Sequence, residues 1–184
     1  MNNGIKKNRI KSYFIDSAKE IIINDGPENI TVRNVAEKAG YSYATLYNYY
    51  KDIEELLSEV KKSMINDIKN YLNSKNNNTS SKNSLKSFFT DYVSYYVKYP
   101  NIFRFFYMYK NNTVSSPEIS EDYISLFSEA LNSVSLVKAE NTELITKTCL
   151  YTVHGILLLF FSSEGISEDI LHEDLKNFLE YIFD

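Results

Sequence analysis

A short segment in the first third of the chain constrains the fold more than any other feature. Ala36, Gly40 and Leu46 stand at the intervals of a helix-turn-helix. Such a motif needs a small residue where the two helices touch, a glycine in the turn and an apolar residue on the second helix. Gly40 can adopt the left-handed backbone conformation that ends a helix, because it has no Cβ atom. The segment therefore predicts two short helices joined by a tight turn.

Two hydroxyl residues mark where these helices begin. Thr31 is suited to cap the first helix and Ser42 the second, because a hydroxyl oxygen can accept a hydrogen bond from a free backbone N–H group. We expect the second helix to run from about Tyr43 to Tyr50. A helix this short is not stable alone. We therefore expect Leu46 and Tyr47 to pack against the preceding helix and to hold the opposite face exposed.

The charges are distributed unevenly along the chain. The formal net charge is −4, but residues 1–51 contain eight basic and five acidic side chains, whereas the remainder contains 12 basic and 19 acidic ones. A basic end is attracted to phosphate while an acidic body is repelled by it. The distribution favours a polyanion-binding amino-terminal part, although an excess of three positive charges is modest.

Composition limits the classes of protein that remain. With 184 residues, of which 43% are hydrophobic, the chain can bury a core and form one or two small domains. The single cysteine, Cys149, excludes an internal disulfide and fits a reducing cytoplasm. No charged leader followed by an apolar run opens the chain, so we expect no secretion signal. The longest apolar run, Cys149 to Phe161, is about half the length of a membrane span, and we expect a buried helix there.

The rest of the chain has helical periodicity, which predicts an all-α fold. Apolar residues recur at intervals of three and four, and no segment alternates as a strand would. The first helix is expected from about Lys7 to Asn24, and Asp52 with Glu55 forms a capping box before a longer helix. Residues 73–83 are polar and low in complexity, so we expect a mobile loop. The residues expected to face inward from the first helix are Tyr13, Phe14, Ala18, Ile21 and Ile22.

The later helices are unusually rich in aromatic residues. The chain has 16 Tyr and 11 Phe. Aromatic residues at helical spacing usually form a plain core, but each buried tyrosine hydroxyl needs a hydrogen bond, as does the imidazole of His154. A cavity that holds an apolar or aromatic small molecule would also satisfy them. We predict such a cavity, lined by Phe89, Tyr92, Tyr96, Phe103, Tyr107, Tyr123, Phe127 and His154.

Enzymatic motifs find little support in the sequence. It contains no glycine-rich phosphate loop, no His-Glu-x-x-His, no Gly-x-Ser-x-Gly and no paired cysteines. The segment His172 to Asp174 is best interpreted as a solvated part of a charged helix. With only two histidines, a metal site built by the protein is not expected. We therefore predict a protein without catalysis, metal or cofactor.

From Ile10 to Leu57 the chain resembles the amino-terminal DNA-binding domain of TetR-family transcriptional regulators. Taken alone, the helix-turn-helix segment would also suit a plain helical hairpin with tyrosines in its core. The wider stretch favours the family, since it matches over nearly fifty residues without a gap, and the nine helices expected in the whole chain equal the family's number. The residues that carry the resemblance are Ala18, Gly26, the run Thr31–Gly40, Thr45–Tyr47 and Lys51–Asp52.

The resemblance implies an organisation and a function. Residues 1–51 would form the DNA-binding domain, and residues 52–184 a helical domain for ligand binding and dimerisation. The chain is then expected to act in the cytoplasm as a homodimeric repressor that binds a palindromic operator and is released by an unidentified small molecule. We expect the dimer to form through the last two helices, because residues 156–161 are apolar on every side.

Carried over position by position, the resemblance assigns two kinds of DNA contact. Hydroxyl and ammonium groups donate to phosphate oxygens, whereas Asn can pair with adenine and an Ala methyl can contact thymine. The face that meets base edges would comprise Tyr43, Ala44 and Asn48. Arg33 is the candidate for a guanine contact from the preceding helix. The other residues expected at the DNA are Thr31, Ser42, Thr45, Tyr47, Tyr49 and Lys51.

Three further features qualify the resemblance. Lys6, Lys7 and Arg9 would form a basic arm able to reach phosphate or the minor groove. Tyr50 stands where the family usually has Phe, which adds a hydroxyl. Ile53 stands where the family commonly has a Lys that touches phosphate, so one backbone contact is expected to be missing.

Two other functions remain open from the sequence. The first is a helical dimer that binds a small molecule or a protein partner and never binds DNA, which the apolar Ile53 and the modest positive charge favour slightly. The second, far less favoured, is an unrecognised hydrolase that uses His154 or His172. A gel-shift series with the DNA upstream of its own gene would separate the DNA-binding function from the first alternative.

Overall fold

The fold is all-α, as predicted, in a computed structural model that describes residues 2–75, 82–109, 121–132, 142–162 and 164–183. Within these ranges the chain forms nine α-helices and no strand. A 3-10 turn, Pro27–Asn29, precedes α2, and a π-helical turn, Arg104–Met108, follows α6. The helices are α1 (Asn2–Asp25), α2 (Val32–Lys38), α3 (Tyr43–Tyr47), α4 (Ile53–Lys75), α5 (Lys82–Lys98), α6 (Pro100–Phe103), α7 (Glu121–Asn132), α8 (Thr142–Phe160) and α9 (Glu168–Phe183).

The chain divides into two compact units. The first unit comprises Met1–Asp67 and Tyr99–Glu118, and the second comprises Ile68–Lys98 and Ile119–Asp184. Helix α4 contributes residues to both. The functional boundary expected at residue 52 stays a prediction. The loop expected over residues 73–83 is helical at both ends, and residues 76–81 lie outside the described part.

In the first unit, α1 packs against α2 and α6, and α2 packs against α3. Phe14, Ala18, Ile21 and Ile22 of α1 are buried as expected. Tyr13 was expected to face inward as well, but 44% of it is exposed. It lies beside the buried stripe rather than within it, and its ring stacks on Tyr41 at a centroid distance of 6.4 Å. That prediction was therefore wrong, because the stripe of α1 is too narrow to bury both Tyr13 and Phe14.

The start of α4 has the capping box that the sequence predicted. The backbone N–H of Glu55 donates to Oδ1 of Asp52 at 2.9 Å. The carboxylate of Glu55 in turn accepts from the backbone N–H of Lys51 at 2.7 Å. Two backbone donors at the start of the helix are thus satisfied by side chains, which fixes where α4 begins.

In the second unit, α5 packs against α7, α8 and α9, and α8 also packs against α7 and α9. Helix α8 buries its central face but exposes Leu158 and Leu159, by 42% and 58%, so the expectation of a buried helix is only partly met. Among the described residues, α8 is also the one helix long and apolar enough to cross a membrane, a test that core helices of soluble proteins pass too.

Candidate nucleic-acid interface

The helix-turn-helix is formed as the sequence predicts. Thr31 caps α2, because its hydroxyl oxygen accepts a hydrogen bond from the backbone N–H of Asn34 at 3.1 Å. Gly40 has a φ of 76°, in the left-handed region. The next amide, that of Tyr41, donates to the carbonyl oxygen of Ala36 at 2.9 Å. This closure ends α2 and turns the chain towards α3.

Ser42 caps α3 in the same way. Its hydroxyl oxygen accepts from the backbone N–H of Thr45 at 3.2 Å, and its Oγ lies 2.9 Å from Oγ1 of Thr45. One of these two hydroxyls donates to the other, so the second keeps its proton for a further acceptor. A phosphate oxygen at this point would be such an acceptor.

Helix α3 ends at Tyr47, earlier than the expected Tyr50. The chain then continues as a tight turn, in which the amides of Tyr49 and Tyr50 both donate to the carbonyl oxygen of Leu46, at 2.9 and 3.0 Å. The expected packing of Tyr47 was wrong, since 52% of it is exposed. Leu46 and Tyr50 are the buried pair instead, because residues four apart share one helix face and Tyr47 lies about 100° away from Leu46.

The outward face of α3 carries the residues expected at base edges. Tyr43 is 64% exposed, and Ala44 and Asn48 are exposed beside it. Together with Tyr47 these side chains form the exposed surface of the element, whereas Leu46 is buried. The structure thus brings the expected set onto one short, capped element. Of the remaining expected DNA contacts, Thr45 and Tyr49 are half-buried, and the exposed ones are Thr31, Arg33, Ser42 and Lys51.

The basic segment and the start of α4 modify two expectations. Lys6, Lys7 and Arg9 are exposed on the first turns of α1, which begins at Asn2 rather than near Lys7. They therefore belong to a helix and not to an extended arm, and a helix is too wide for the minor groove. Of the two contacts expected for these basic residues, the helical geometry therefore favours phosphate over the minor groove. Ile53 begins α4 and is half-buried, so an apolar side chain occupies that position.

Sequence reasoning missed two polar residues beside this motif, Lys11 and Glu59. The Tyr50 hydroxyl donates to Oε2 of Glu59 at 2.9 Å, and Lys11 Nζ lies 2.6 Å from Oε1 of the same carboxylate. The signal that could have found them was Tyr50 itself. A buried tyrosine in place of phenylalanine requires a partner for its hydroxyl.

Six of the eight residues expected to line a ligand cavity form a tight cluster in the second unit. Phe89, Tyr92, Tyr96 and Phe127 are fully buried, with Tyr123 and His154 nearly so. The ring of Phe127 lies 5.4 Å from that of Phe89 and 5.0 Å from that of Tyr92, measured between centroids.

The polar atoms of this cluster are satisfied by one another. His154 Nδ1 lies 2.7 Å from the carbonyl oxygen of Leu150, which can only accept, so Nδ1 carries the proton. The other nitrogen, Nε2, then accepts from the Tyr92 hydroxyl at 3.0 Å. The hydroxyls of Tyr96 and Tyr123 bond to each other at 2.8 Å. The sequence argument from unsatisfied hydroxyls therefore does not hold for these three tyrosines.

Burial sets the protonation state of His154. Removal from water lowers the pKa of its imidazole to about 4, against an opposing effect of the hydrogen bond to Leu150. The side chain is therefore neutral near pH 7, as the hydrogen-bond geometry requires.

Two of the eight expected cavity residues lie in the first unit. Phe103 belongs to α6 and Tyr107 to the π-helical turn, with their ring centroids 4.8 Å apart. The eight residues are thus divided between the units, six and two. The cavity itself stays a prediction.

The residues considered for enzymatic chemistry do not converge in the described part of the chain. His172 is exposed on α9 and lies 3.6 Å from Glu168, as expected for a solvated helix face. Cys149 is buried, and burial raises the pKa of its thiol to about 12. Within the described ranges, His, Cys, Asp and Glu form no group of three that could hold a metal ion.

Comparisons with known proteins agree with this geometry. Residues 14–60 match the amino-terminal model of bacterial regulatory proteins, tetR family. No curated protein matches the chain in sequence. Among solved structures, the transcriptional regulator FadR from Bacillus subtilis, determined in complex with stearoyl-CoA, is 16% identical with a TM-score of 0.70, covering 94% of this chain and 97% of that one.

Other solved regulators have the same fold. A TetR-family regulator from Rhodococcus sp. is 15% identical with a TM-score of 0.70, covering 96% of this chain and all of that one. A regulator from Aquifex aeolicus is 21% identical with a TM-score of 0.59, covering 95% and 99%. A capped helix-turn-helix followed by a second helical unit is the architecture of these all-α regulators. Residues 14–60 thus match the amino-terminal domain of the tetR family, and the chain has the fold of TetR-family regulators.

Proposed function

We propose that the chain is a cytoplasmic transcriptional repressor that binds a palindromic DNA operator as a homodimer and is released by a small molecule. The observation that carries the proposal is the outward face of α3. Tyr43, Ala44, Tyr47 and Asn48 project from a helix that is capped at its start and anchored by the fully buried Leu46. A short helix presented in this way suits the major groove, which admits one α-helix.

The proposed contacts follow from the chemistry of each side chain. Asn48 would pair with adenine, Arg33 would donate to guanine, and Ala44 would contact a thymine methyl, with Tyr43 beside them. The remaining contacts would go to phosphate oxygens, which position the head without reading the sequence. The residues proposed to contact phosphate are Thr31, Thr45, Tyr47, Tyr49 and Lys51. Ser42, whose hydroxyl lies beside that of Thr45, is also proposed to lie at the DNA.

Titration of the duplex upstream of the chain's own gene tests DNA binding. Arg33→Ala should cost roughly 1–3 kcal/mol and relax one position of the site. Lys51→Ala should weaken binding to every sequence alike and reduce the salt slope by about one. Lys176→Ala, on the exposed face of α9, is the matched control and should bind as the wild type does. Equal operator binding by the wild type and by an Arg33→Ala, Lys51→Ala double variant would contradict the assignment.

A homodimer is proposed from the exposed apolar residues of the second unit. Leu144, Tyr151 and Leu158 recur every seven residues along α8 and are 68%, 54% and 42% exposed. On α9, Ile170 and Tyr181 are 46% and 87% exposed. Apolar stripes of this kind mark surfaces that bind another protein. A second copy is the proposed partner, because a two-fold pair of recognition helices reads a palindrome that one helix alone cannot specify.

The proposed signal is a small molecule that enters the aromatic cluster of the second unit. One polar atom supports a ligand there: Oγ1 of Thr146, on the buried face of α8 that carries His154, finds no hydrogen-bond partner among the described residues. Entry would also break the bonds of Tyr92 to His154 and of Tyr96 to Tyr123. The ligand should therefore combine an apolar or aromatic body with a hydrogen-bonding group. The FadR structure with stearoyl-CoA supports this combination of chemistries for a related fold.

Reciprocal titrations test the proposed release. A ligand found by thermal-shift screening should weaken operator binding, typically through about 1–3 kcal/mol of coupling. Linkage then requires the operator to weaken ligand binding by the same factor. Calorimetry with and without operator measures both halves. Identical ligand affinity in the two titrations would mean that the ligand does not regulate DNA binding.

A helical dimer that binds a small molecule but no DNA is the second candidate. The half-buried, apolar Ile53 favours it, because that position offers no ammonium group for phosphate. The same gel-shift series over several salt concentrations separates the two candidates. If the protein binds a small molecule but shifts no duplex even at low salt, the result would support the dimer that does not bind DNA.

A further inference from the structure

The turn after α3 contains a buried tyrosine that is tied to two other helices. Tyr50 is 1% exposed, and its ring meets that of Phe14 of α1 edge-on at a centroid distance of 6.4 Å. Its backbone N–H donates to the carbonyl oxygen of Leu46 in α3 at 3.0 Å. Because α3 has only five residues, Tyr50 is one of the few side chains able to hold it in place.

The hydroxyl of Tyr50 adds a polar contact to this packing. It donates to Oε2 of Glu59 in α4 at 2.9 Å. Lys11 of α1 donates to the other carboxylate oxygen at 2.6 Å, and its ammonium also lies 4.5 Å from the centre of the Tyr50 ring. Three groups from α1, α4 and the end of the recognition motif thus contact one another, and both oxygens of Glu59 are occupied.

The charge state of Glu59 suits this arrangement. Burial alone would raise the pKa of the carboxyl, but the hydrogen bonds from Lys11 and Tyr50 outweigh it and lower the pKa. Glu59 is therefore a carboxylate that accepts from both neighbours. Charge-assisted hydrogen bonds of this kind are stronger and more directional than those between neutral groups.

We propose that Glu59 is a positioning residue for DNA recognition, which fixes the recognition helix α3 on α1 and α4 through Tyr50 and Lys11. A phenylalanine at position 50 would fill the same volume but would leave the turn free to shift against α4. The hydroxyl sets the separation between the end of α3 and α4, and hence how deeply Tyr43 and Asn48 reach. This inference rests on the proposed DNA binding, whose contact residues are different ones.

Conservative variants of the three residues test the proposal on the full chain. Tyr50→Phe and Glu59→Gln should each reduce operator affinity about threefold to tenfold, the value of one hydrogen bond. The double variant should lose no more than Glu59→Gln alone, because Tyr50→Phe removes only a contact that Glu59→Gln has already disrupted. The salt slope should not change, since no phosphate contact is removed. Affinities are compared well below the unfolding temperature, with the active fraction determined by stoichiometric titration.

Lys11→Met separates positioning from direct phosphate binding. It should lower operator affinity with an unchanged salt slope, whereas a Lys that bound phosphate would reduce the slope by about one when removed. Tyr13→Phe is the matched control, because it removes a partly exposed tyrosine hydroxyl from the same unit without touching Glu59. Additive losses for Tyr50→Phe and Glu59→Gln, wild-type affinity for Tyr50→Phe, or a reduced slope for Lys11→Met would each overturn the proposal.

Hydrogen exchange of the free protein supplies a readout that does not depend on DNA. The amides of Tyr49 and Tyr50 should exchange faster in Tyr50→Phe than in the wild type, with α8 amides unchanged. Failure of the wild type to bind any duplex would defeat the proposed function, yet this measurement would still test whether Glu59 fixes the motif. Unchanged exchange of these amides in Tyr50→Phe would overturn the positioning role by itself.

Discussion

Tyrosine has opposite roles on α3 of the first unit and on α5 of the second. In the first unit, Tyr43 and Tyr47 of α3 expose 64% and 52% of their surface to solvent. In the second unit, Tyr92 and Tyr96 of α5 are fully buried, and their hydroxyls bond to His154 and to Tyr123. A large number of tyrosines therefore does not by itself indicate a cavity filled with water or ligand. Their hydroxyls can be satisfied outside the protein, by a ligand such as DNA, or inside it by one another.

The length of each helix explains the difference. Helix α3 has five residues and packs on one side, so only Leu46 is buried within it. Helix α5 has 17 residues and packs against α7, α8 and α9. A helix covered from several directions buries aromatic residues around most of its circumference.

The largest expected effect concerns the exposed apolar face of the second unit. Leu158→Glu should abolish dimerisation and palindrome binding, because it would bury an unpaired charge at a cost of several kcal/mol. Light scattering measures the mass of the variant. Ser87→Glu, on the exposed side of α5, is the control and should remain dimeric. A wild-type chain that is monomeric at micromolar concentration would contradict the prediction that the second unit, unlike the first, mediates self-association.

The buried histidine of the second unit should make stability depend on pH. The pKa of His154 is about 4 in the folded chain and near 6.5 when unfolded. The unfolded state therefore binds the extra proton between these values, so stability is complete above about 6.5 and falls as the pH drops towards 4. The full loss is on the order of 3 kcal/mol. Urea unfolding at a series of pH values measures it.

Variants of the two histidines provide the control for this pH dependence. His154→Gln should lose most of the decline in stability between about pH 6.5 and pH 4. His172→Gln, on exposed α9, keeps the buried imidazole and should retain the decline. A decline of the same size in His154→Gln would mean that other groups cause it.

Removal of a single hydroxyl tests the contrast between the two kinds of tyrosine directly. Tyr92→Phe removes the hydroxyl that donates to the buried Nε2 of His154 and should cost about 1–3 kcal/mol of unfolding free energy. Tyr47→Phe should change that free energy by less than about 0.5 kcal/mol, since the side chain is half exposed. It should weaken DNA binding instead. Equal losses of unfolding free energy in Tyr92→Phe and Tyr47→Phe would contradict the distinction between a buried, hydrogen-bonded tyrosine and an exposed one.

The smallest expected effect separates two glycines of the second unit. A Cβ atom added at Gly155, in the middle of α8, would meet no atom within 4 Å, whereas one at Gly165 would lie 2.5 Å from the carbonyl oxygen of Phe160. Gly155→Ala should therefore stabilise the fold by about 0.5–1 kcal/mol, and Gly165→Ala should destabilise it. Unfolding is best measured in the Leu158→Glu background, which isolates the fold from association. Stabilisation by both substitutions would contradict the close approach at Gly165.

Predictions from the sequence succeeded where the structure is local. Thr31 and Ser42 cap their helices as expected, and Gly40 has the expected left-handed conformation. Each of these depends on residues three or four positions away, which the sequence displays directly. Tyr13 and Tyr47 were placed inward wrongly, because helical periodicity shows which residues share a face but not how wide the buried part of that face is.

The sequence by itself determined the all-α fold, the helix-turn-helix, its caps and the outward position of Tyr43, Ala44 and Asn48. These follow from spacing, turn chemistry and hydrogen bonds between near neighbours. Only the tertiary structure decided that Tyr50 meets Glu59 and Lys11, and that Tyr92 donates to His154. The last pair is separated by 62 residues and the Lys11–Glu59 pair by 48. The sequence required a partner for each buried hydroxyl, but the partner's identity depends on which helices pack together.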